Sequence, residues 1–270
     1  YVAGTFAPVT GVTAGSVTVL PISQAGTQIA DLLEVTLPNS GISSFTFQTQ
    51  VLDPAIFAAN GSANARNTAT LIQFNSAGVG TTITSASAAV PFESSILAKR
   101  LLHRDEVPKA YTAINPNNTT SNAAEGFNYL EKAAIFQLRV NADGLDWASI
   151  LNGQGVPLGD VTVTDTLPAG WEFMTFSNGA QYLIYPAGGT TPVSVTGLSA
   201  SFSGQTATFT FNDLDQAYYI LIKARPNDAT LTDYLLSSTQ PFTRTNNVNL
   251  RVPSWDGVNA SRNVSVNTRA

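Results

Sequence analysis

The sequence predicts an all-β protein. Three observations carry this. Short segments alternate apolar and polar residues with a period of two. Gly, Pro, Asn and Ser interrupt them at strand spacing. Long runs with helical periodicity are rare. Taken in order, SVTVLPI (16–22) and LLEVTLP (32–38) are the first two candidate strands. SFTFQTQVL (44–52) is rich in aromatic and β-branched residues, as are TATLIQF (68–74) and TTITSASAAV (81–90). ILAKRLL (96–102), AAIFQLRV (133–140), DVTVTDTL (160–167) and TATFTFNDL (206–214) follow. AYYILIKA (217–224), NVNLRV (247–252) and RNVSVNT (262–268) close the series. Only 54–60 and 149–151 suit short helical turns.

Composition narrows the function. Lys+Arg 13 against Asp+Glu 18 gives a net charge of -5, without the basic stripe that nucleic acid requires. Charged residues are only 11%, against the usual quarter, and hydrophobic residues at 43% suffice for a core. Small polar residues fill the gap, a composition associated with extracellular β-proteins. There is no Cys, which excludes disulfides and cysteine metal sites, and the single His, His103, argues against the usual metal clusters and Ser-His-Asp chemistry. The sequence shows no initiator Met, signal peptide or transmembrane run and reads as a mature product or an excised piece.

Two stretches repeat each other. Residues 44–90 (SFTFQTQVLDPAIF, RNTATLIQFNSAG, TTITSASAAV) resemble residues 218–270 (YYILIKARPNDATL, TNNVNLRVPSWDG, RNVSVNTRA). Asn67 aligns with Asn246, a period of about 179 residues, which indicates whole domains rather than a solenoid. No lysine precedes Lys99 and no VTDTLP segment precedes Asn67. Residues 1–92 therefore read as the C-terminal part of a sandwich whose front strands lie elsewhere, and residues 93–270 as a complete domain. The boundary is expected near Pro91–Ser95.

Three polar residues break the pattern. Asp165 falls on the apolar phase with Val161, Val163 and Leu167, Lys99 is in phase with Leu97 and Leu101, and Asn246 with Val248 and Leu250. A buried charge is costly unless paired or neutralised. The ordinary reading is a buried ion pair with a hydrogen-bonded Asn. The sharper one is a spontaneous Lys–Asn isopeptide bond. Burial drives lysine towards its neutral, nucleophilic amine and aspartate towards the acid, which can polarise the Asn carboxamide. Asn247 is the alternative acceptor if the strand phase slips by one. Lys223, in phase with Tyr219 and Leu221, is the alternative lysine, and Lys132 points to solvent.

Here the chain resembles a family. VTVTDTLPAG (161–170) is similar to the signature of the bacterial surface repeats called DUF11 and of the isopeptide-forming domains of adhesins and fimbrial proteins. The resemblance covers about residues 93–270. It implies tandem immunoglobulin-like sandwiches on a cell surface, with Lys99 on the first strand, Asp165 as catalytic acid and Asn246 as acceptor. It also implies a structural or adhesive protein that is not a turnover enzyme and has no cofactor. The expected partners are other copies, adjoining repeats or a host-surface ligand, with head-to-tail filaments by strand sharing. The runner-up is an extracellular carbohydrate-binding module with an exposed aromatic platform from Trp147, Trp171, Tyr182 and Tyr185. Acidic clusters at 141–146 and 212–215 read as Asx turns rather than calcium loops. Asn60, Asn117, Asn118, Asn259 and Asn263 head N-x-S/T sequons and read as polar loop residues.

Overall fold

A computed structural model describes residues 4–12, 16–24, 27–38, 41, 43–49, 63–92, 96–150 and 157–267. The strands before residue 93 are β1 (Ala7–Thr10), β2 (Val17–Gln24), β3 (Thr27–Val35), β4 (Ser44–Thr46), β5 (Ala63–Phe74) and β6 (Gly80–Phe92). β7 (Leu97–Leu102), β8 (Thr119–Thr120), β9 (Phe127–Asn128), β10 (Ala133–Val140), β11 (Val161–Thr166) and β12 (Trp171–Met174) follow. Next come β13 (Tyr182–Pro186), β14 (Leu198–Ser203), β15 (Thr206–Phe211) and β16 (Tyr218–Pro226). The helix α1 (Asp228–Leu236), β17 (Phe242–Val252) and β18 (Trp255–Val266) complete the series. The fold is all-β and antiparallel, as the sequence predicts.

Residues from Leu97 onward build a sandwich. One sheet has seven strands: β12, β16, β10, β7 and β8 in order, with β13 also on β16 and β9 on β10. The other has the order β14, β15, β11, β17, β18. Their inner faces meet in two apolar clusters. One joins Leu97, Leu138, Val140, Ile220 and Ile222 to Val163, Phe209, Val248 and Leu250. The second gathers Leu101, Phe136, Leu167, Trp171, Tyr234 and Val264. β10 is buried on both faces, because loop residues Val107, Ile114 and Phe176 cover the outside of its sheet around Ile135 and Leu221. This is why AAIFQLRV reads as nearly continuous apolar sequence rather than strict alternation.

Three sequence expectations need correction. NDATLTDYLL, given no helix from sequence, contains α1. Asn227 caps it by accepting from the backbone of Thr230 at 2.9 Å, and Tyr234 is buried with its hydroxyl accepting from Trp171 Nε1 at 3.2 Å. Here a local cap and one buried aromatic outweigh a weak apolar stripe. The helical turn expected at 149–151 is a 3-10 turn at Trp147–Ser149. The strand expected over 44–52 ends at Thr46. The helical turn expected at 54–60 and the sequon at Asn60 lie outside the described residues, as do residues 93–95 of the expected boundary.

Among the described residues before residue 93 the strands pair in twos: β1 with β4, β2 with β3, and β5 with β6. Leu20, Ile22, Leu71, Ile72, Phe74, Ile83 and Val90 on these hairpins are exposed. A lone two-stranded hairpin is marginal in water, and its outer edges carry unpaired backbone groups.

Candidate functional site

Lys99, Asp165 and Asn246 come from three strands of two sheets. β7 pairs with β10, so that Lys99 lies across from Leu138. In the facing sheet β11 pairs with β17, and Asp165 lies across from Val248. Asn246, two residues before Val248, therefore sits on the same face as Asp165 as its diagonal neighbour, at a spacing of about 7–8 Å between Cα atoms in such ladders. All three side chains enter the space between the sheets. Lys99 is 5% exposed, Asp165 and Asn246 0%. Asn247, one step out of phase, is exposed, and Lys223 instead donates to the carbonyl of Val107 on the outer side of its sheet at 3.1 Å. Lys132 is exposed, at a positive φ just before β10.

The three sit at the seam between the two clusters. Leu97 and Val163 belong to one cluster, Leu101 and Leu167 to the other, and Lys99 and Asp165 are the residues between. Lys99 Nζ donates to Asp165 Oδ2 and lies 5.4 Å from the Phe136 ring centroid. Burial drives the Lys99 amine well below the ordinary lysine range. Asp165 Oδ1 and both polar atoms of Asn246, Oδ1 and Nδ2, are buried without a hydrogen-bond partner. Such orphans cost about 1–3 kcal/mol each. Four strands and two apolar clusters thus hold an amine, a carboxyl and a carboxamide together out of water. That arrangement suits condensation of amine and carboxamide, since water cannot compete for the acyl carbon.

One neighbour was not singled out from sequence. Arg262 on β18 is Asn246's directly paired residue. Its Nη2 donates to the carbonyl of Thr120 on β8 at 2.8 Å, tying the edges of the two sheets, and its buried Nε has no partner. RNVSVNT reads as an ordinary edge strand, and only the ladder register reveals that its first residue pairs with Asn246.

The other candidates have structural roles. Asn141 accepts from Leu145 N at 3.0 Å and Trp147 Nε1 at 3.2 Å, and its Nδ2 donates to the carbonyls of Leu145 and Gln216. It knots an Asx-type loop, as the sequence reading has it. Among the described residues no group of acidic or His side chains could hold a metal ion. Trp147, Trp171 and Tyr185 are buried and Tyr182 is half-buried. They pack the core, so the exposed platform of the carbohydrate-binding reading does not form from them. His103 is part-exposed and accepts from the backbone of Asp105. Among the described residues no helix is long and apolar enough to cross a membrane.

No family model and no curated protein matches this chain. Solved structures give distant likenesses. The collagen-binding domain of the Erysipelothrix rhusiopathiae surface protein RspB is 11% identical with a TM-score of 0.35, over 97% of this chain and 83% of that one. The Enterococcus faecalis MSCRAMM ACE is also 11% identical, with a TM-score of 0.36 over 97% and 82%. BcpA, the major pilin subunit of Bacillus cereus, is 12% identical with a TM-score of 0.36, over 87% of this chain and 52% of that one.

Proposed function

We propose that residues 93–270 form a sandwich module of a bacterial surface adhesin or fimbrial protein, locked by an autocatalytic isopeptide bond between Lys99 and Asn246. The reading rests on the convergence of Lys99, Asp165 and Asn246 in one sealed seam between the sheets. The neutral Lys99 amine attacks Cγ of Asn246. Asp165 in its acid form donates a hydrogen bond to the carboxamide oxygen as negative charge develops there. A proton passes from the attacking nitrogen to Nδ2, the Cγ–Nδ2 bond breaks, and ammonia leaves. The product is an amide joining β7 of one sheet to β17 of the other. The bond also removes the orphaned Nδ2 and replaces a titratable amine by a neutral N–H that Asp165 can accept. The reaction occurs once per chain and needs no cofactor.

A chain without cysteines gains from this the toughness that secreted proteins draw from disulfides. Residues 1–92 are, on this reading, the back end of a neighbouring sandwich, so the modules join in an array at the cell surface that presents itself to a surface ligand. Intact mass is the test. The wild type is expected one ammonia lighter than its sequence, with a Lys99–Asn246 cross-linked peptide after digestion. Asp165→Ala should fold with Lys99 free and the full mass. A wild type of unmodified mass would refute the proposal.

A further inference from the structure

The hairpin formed by β5 and β6 has the architecture of the hairpin that carries Asn246. In β17 and β18, Asn246 is followed four residues later by Leu250, where the register shifts before Val252. In β5 and β6, Asn67 is followed four residues later by Leu71, where the register shifts before Ile72. Both shifts have the same sense, an extra residue on the longer side of the ladder. Between these landmarks the cross-strand pairs also correspond: Val248 faces Ala260 and Ala69 faces Ala86. A bulge is a placed feature that bends and aims a strand. Its recurrence beside the same Asn–Leu spacing makes the two hairpins structural equivalents.

Their surroundings differ. β17 has β11 on its second edge, which brings Asp165 beside Asn246. The second edge of β5 has no strand among the described residues. Asn67 and the residues around it are exposed, and Leu71 remains 44% exposed. The counterpart hairpin thus defines the kind of strand that would fill this edge.

We infer that the β5–β6 hairpin is a second covalent acceptor arm. Its open edge takes the front half of a sandwich, of the kind built by β7 to β16. That partner supplies a strand like β11 with an in-phase carboxyl and a facing strand with a lysine, as β7 does. Asn67 then condenses with that lysine: a C–N bond forms, the Cγ–Nδ2 bond breaks, and one ammonia leaves. The partner is a polypeptide lacking an Asn hairpin of its own, since a completed sandwich has its edge filled. The inference rests on the crosslink reading above.

The chain carries the means to test it. In full-length Asn246→Ala/Val248→Asp the resident hairpin has lost its acceptor, and the buried charge opposes its return. Lys99 and Asp165 remain. Unfolded and refolded, this variant is expected to lose one ammonia and to give a Lys99–Asn67 cross-linked peptide, with covalent dimers and longer chains increasing with concentration. Adding Asn67→Ala should abolish both. In Asn246→Ala alone the two hairpins compete, and a smaller fraction should carry the same bond. If wild type carries its Lys99–Asn246 bond while both Asn246 variants refold with free Lys99, the inference is overturned and the crosslink reading stands. A wild type without its own bond would overturn both.

Discussion

Replacing Asn246 with alanine should reveal what the crosslink contributes. The proposed bond would close a loop of about 150 residues, and the chain-entropy treatment of such a loop gives about 5 kcal/mol. The Lys99–Asp165 contact survives the substitution, and Val248 and Leu250 still fill the seam, so loop closure dominates the difference. For a domain of this size each kcal/mol moves Tm by about 2–4 °C, so the drop should be roughly 10–20 °C. The assay pairs thermal unfolding with intact mass on the same samples. Asn247→Ala is the control, because Asn247 is exposed on the opposite phase of the same strand. It should retain the crosslinked mass and melt close to wild type. If Asn246→Ala melts within 3 °C of wild type (less than about 1.5 kcal/mol), or if Asn247→Ala melts as low as Asn246→Ala, the reasoning fails.

Three further outcomes are expected. In Asn246→Ala the buried Lys99 amine keeps a pKa well below its unfolded value of about 10.4, so the unfolded chain binds more protons between the two. Stability of that variant should therefore rise with pH up to about 10, in denaturant titrations referenced to the same background carrying Lys99→Met; a flat difference would contradict the burial of a free amine. Burial alone would raise the Glu106 carboxyl, but hydrogen bonds from Asn118, Lys109 and the Asn115 backbone outweigh it and hold it below the usual range. Its contribution should be present above about pH 4.3 and lost as pH falls through the depressed value; Glu106→Gln should cost about 1–3 kcal/mol at pH 7 and little in acid, read from urea midpoints. Gly257 has φ +88, and a Cβ there would meet the backbone of Leu250 across the hairpin. Gly257→Ala should lower the melting temperature even in the crosslinked protein, and an unchanged Tm would show that the hairpin yields.

Much of the site was legible because strands have a period of two. Once VTVTDTL and TNNVNL are recognised as strands, the faces of Asp165 and Asn246 follow. Lys99 follows in the same way from ILAKRLL. What the period cannot give is which strands face each other. That β7 lies opposite β11 and β17 is a matter of sheet order, set by long-range pairing. Arg262 was hidden for this reason: its neighbour is fixed by a ladder register, not by its own segment. The short strands β12 to β14 and the helix α1 were missed for another. WEFM and YLIYP are too brief for a periodic signal, and α1 is held by one cap and one buried tyrosine rather than a long apolar stripe.

The third residue is what favours the proposed crosslink over a simple buried ion pair. An ion pair alone would explain Lys99 against Asp165, and a buried pair is tolerated when its remaining lone pairs and protons are satisfied. In this seam they are not. Asp165 Oδ1 is unpartnered, and Asn246 presents both a donor and an acceptor with no partner. A carboxamide kept only for hydrogen bonding would be the wrong residue here, since leucine or valine would extend the apolar seam and spare about 1–3 kcal/mol for each orphaned atom. The proposed crosslink accounts for an Asn at that position, because its amide would be consumed. Under the proposed condensation, Lys99 would consume it, lose its own charge, and leave Asp165 facing a single neutral amide. The cost of assembling three polar groups in the core would then be carried by the precursor alone, and the finished sandwich would be rid of most of it.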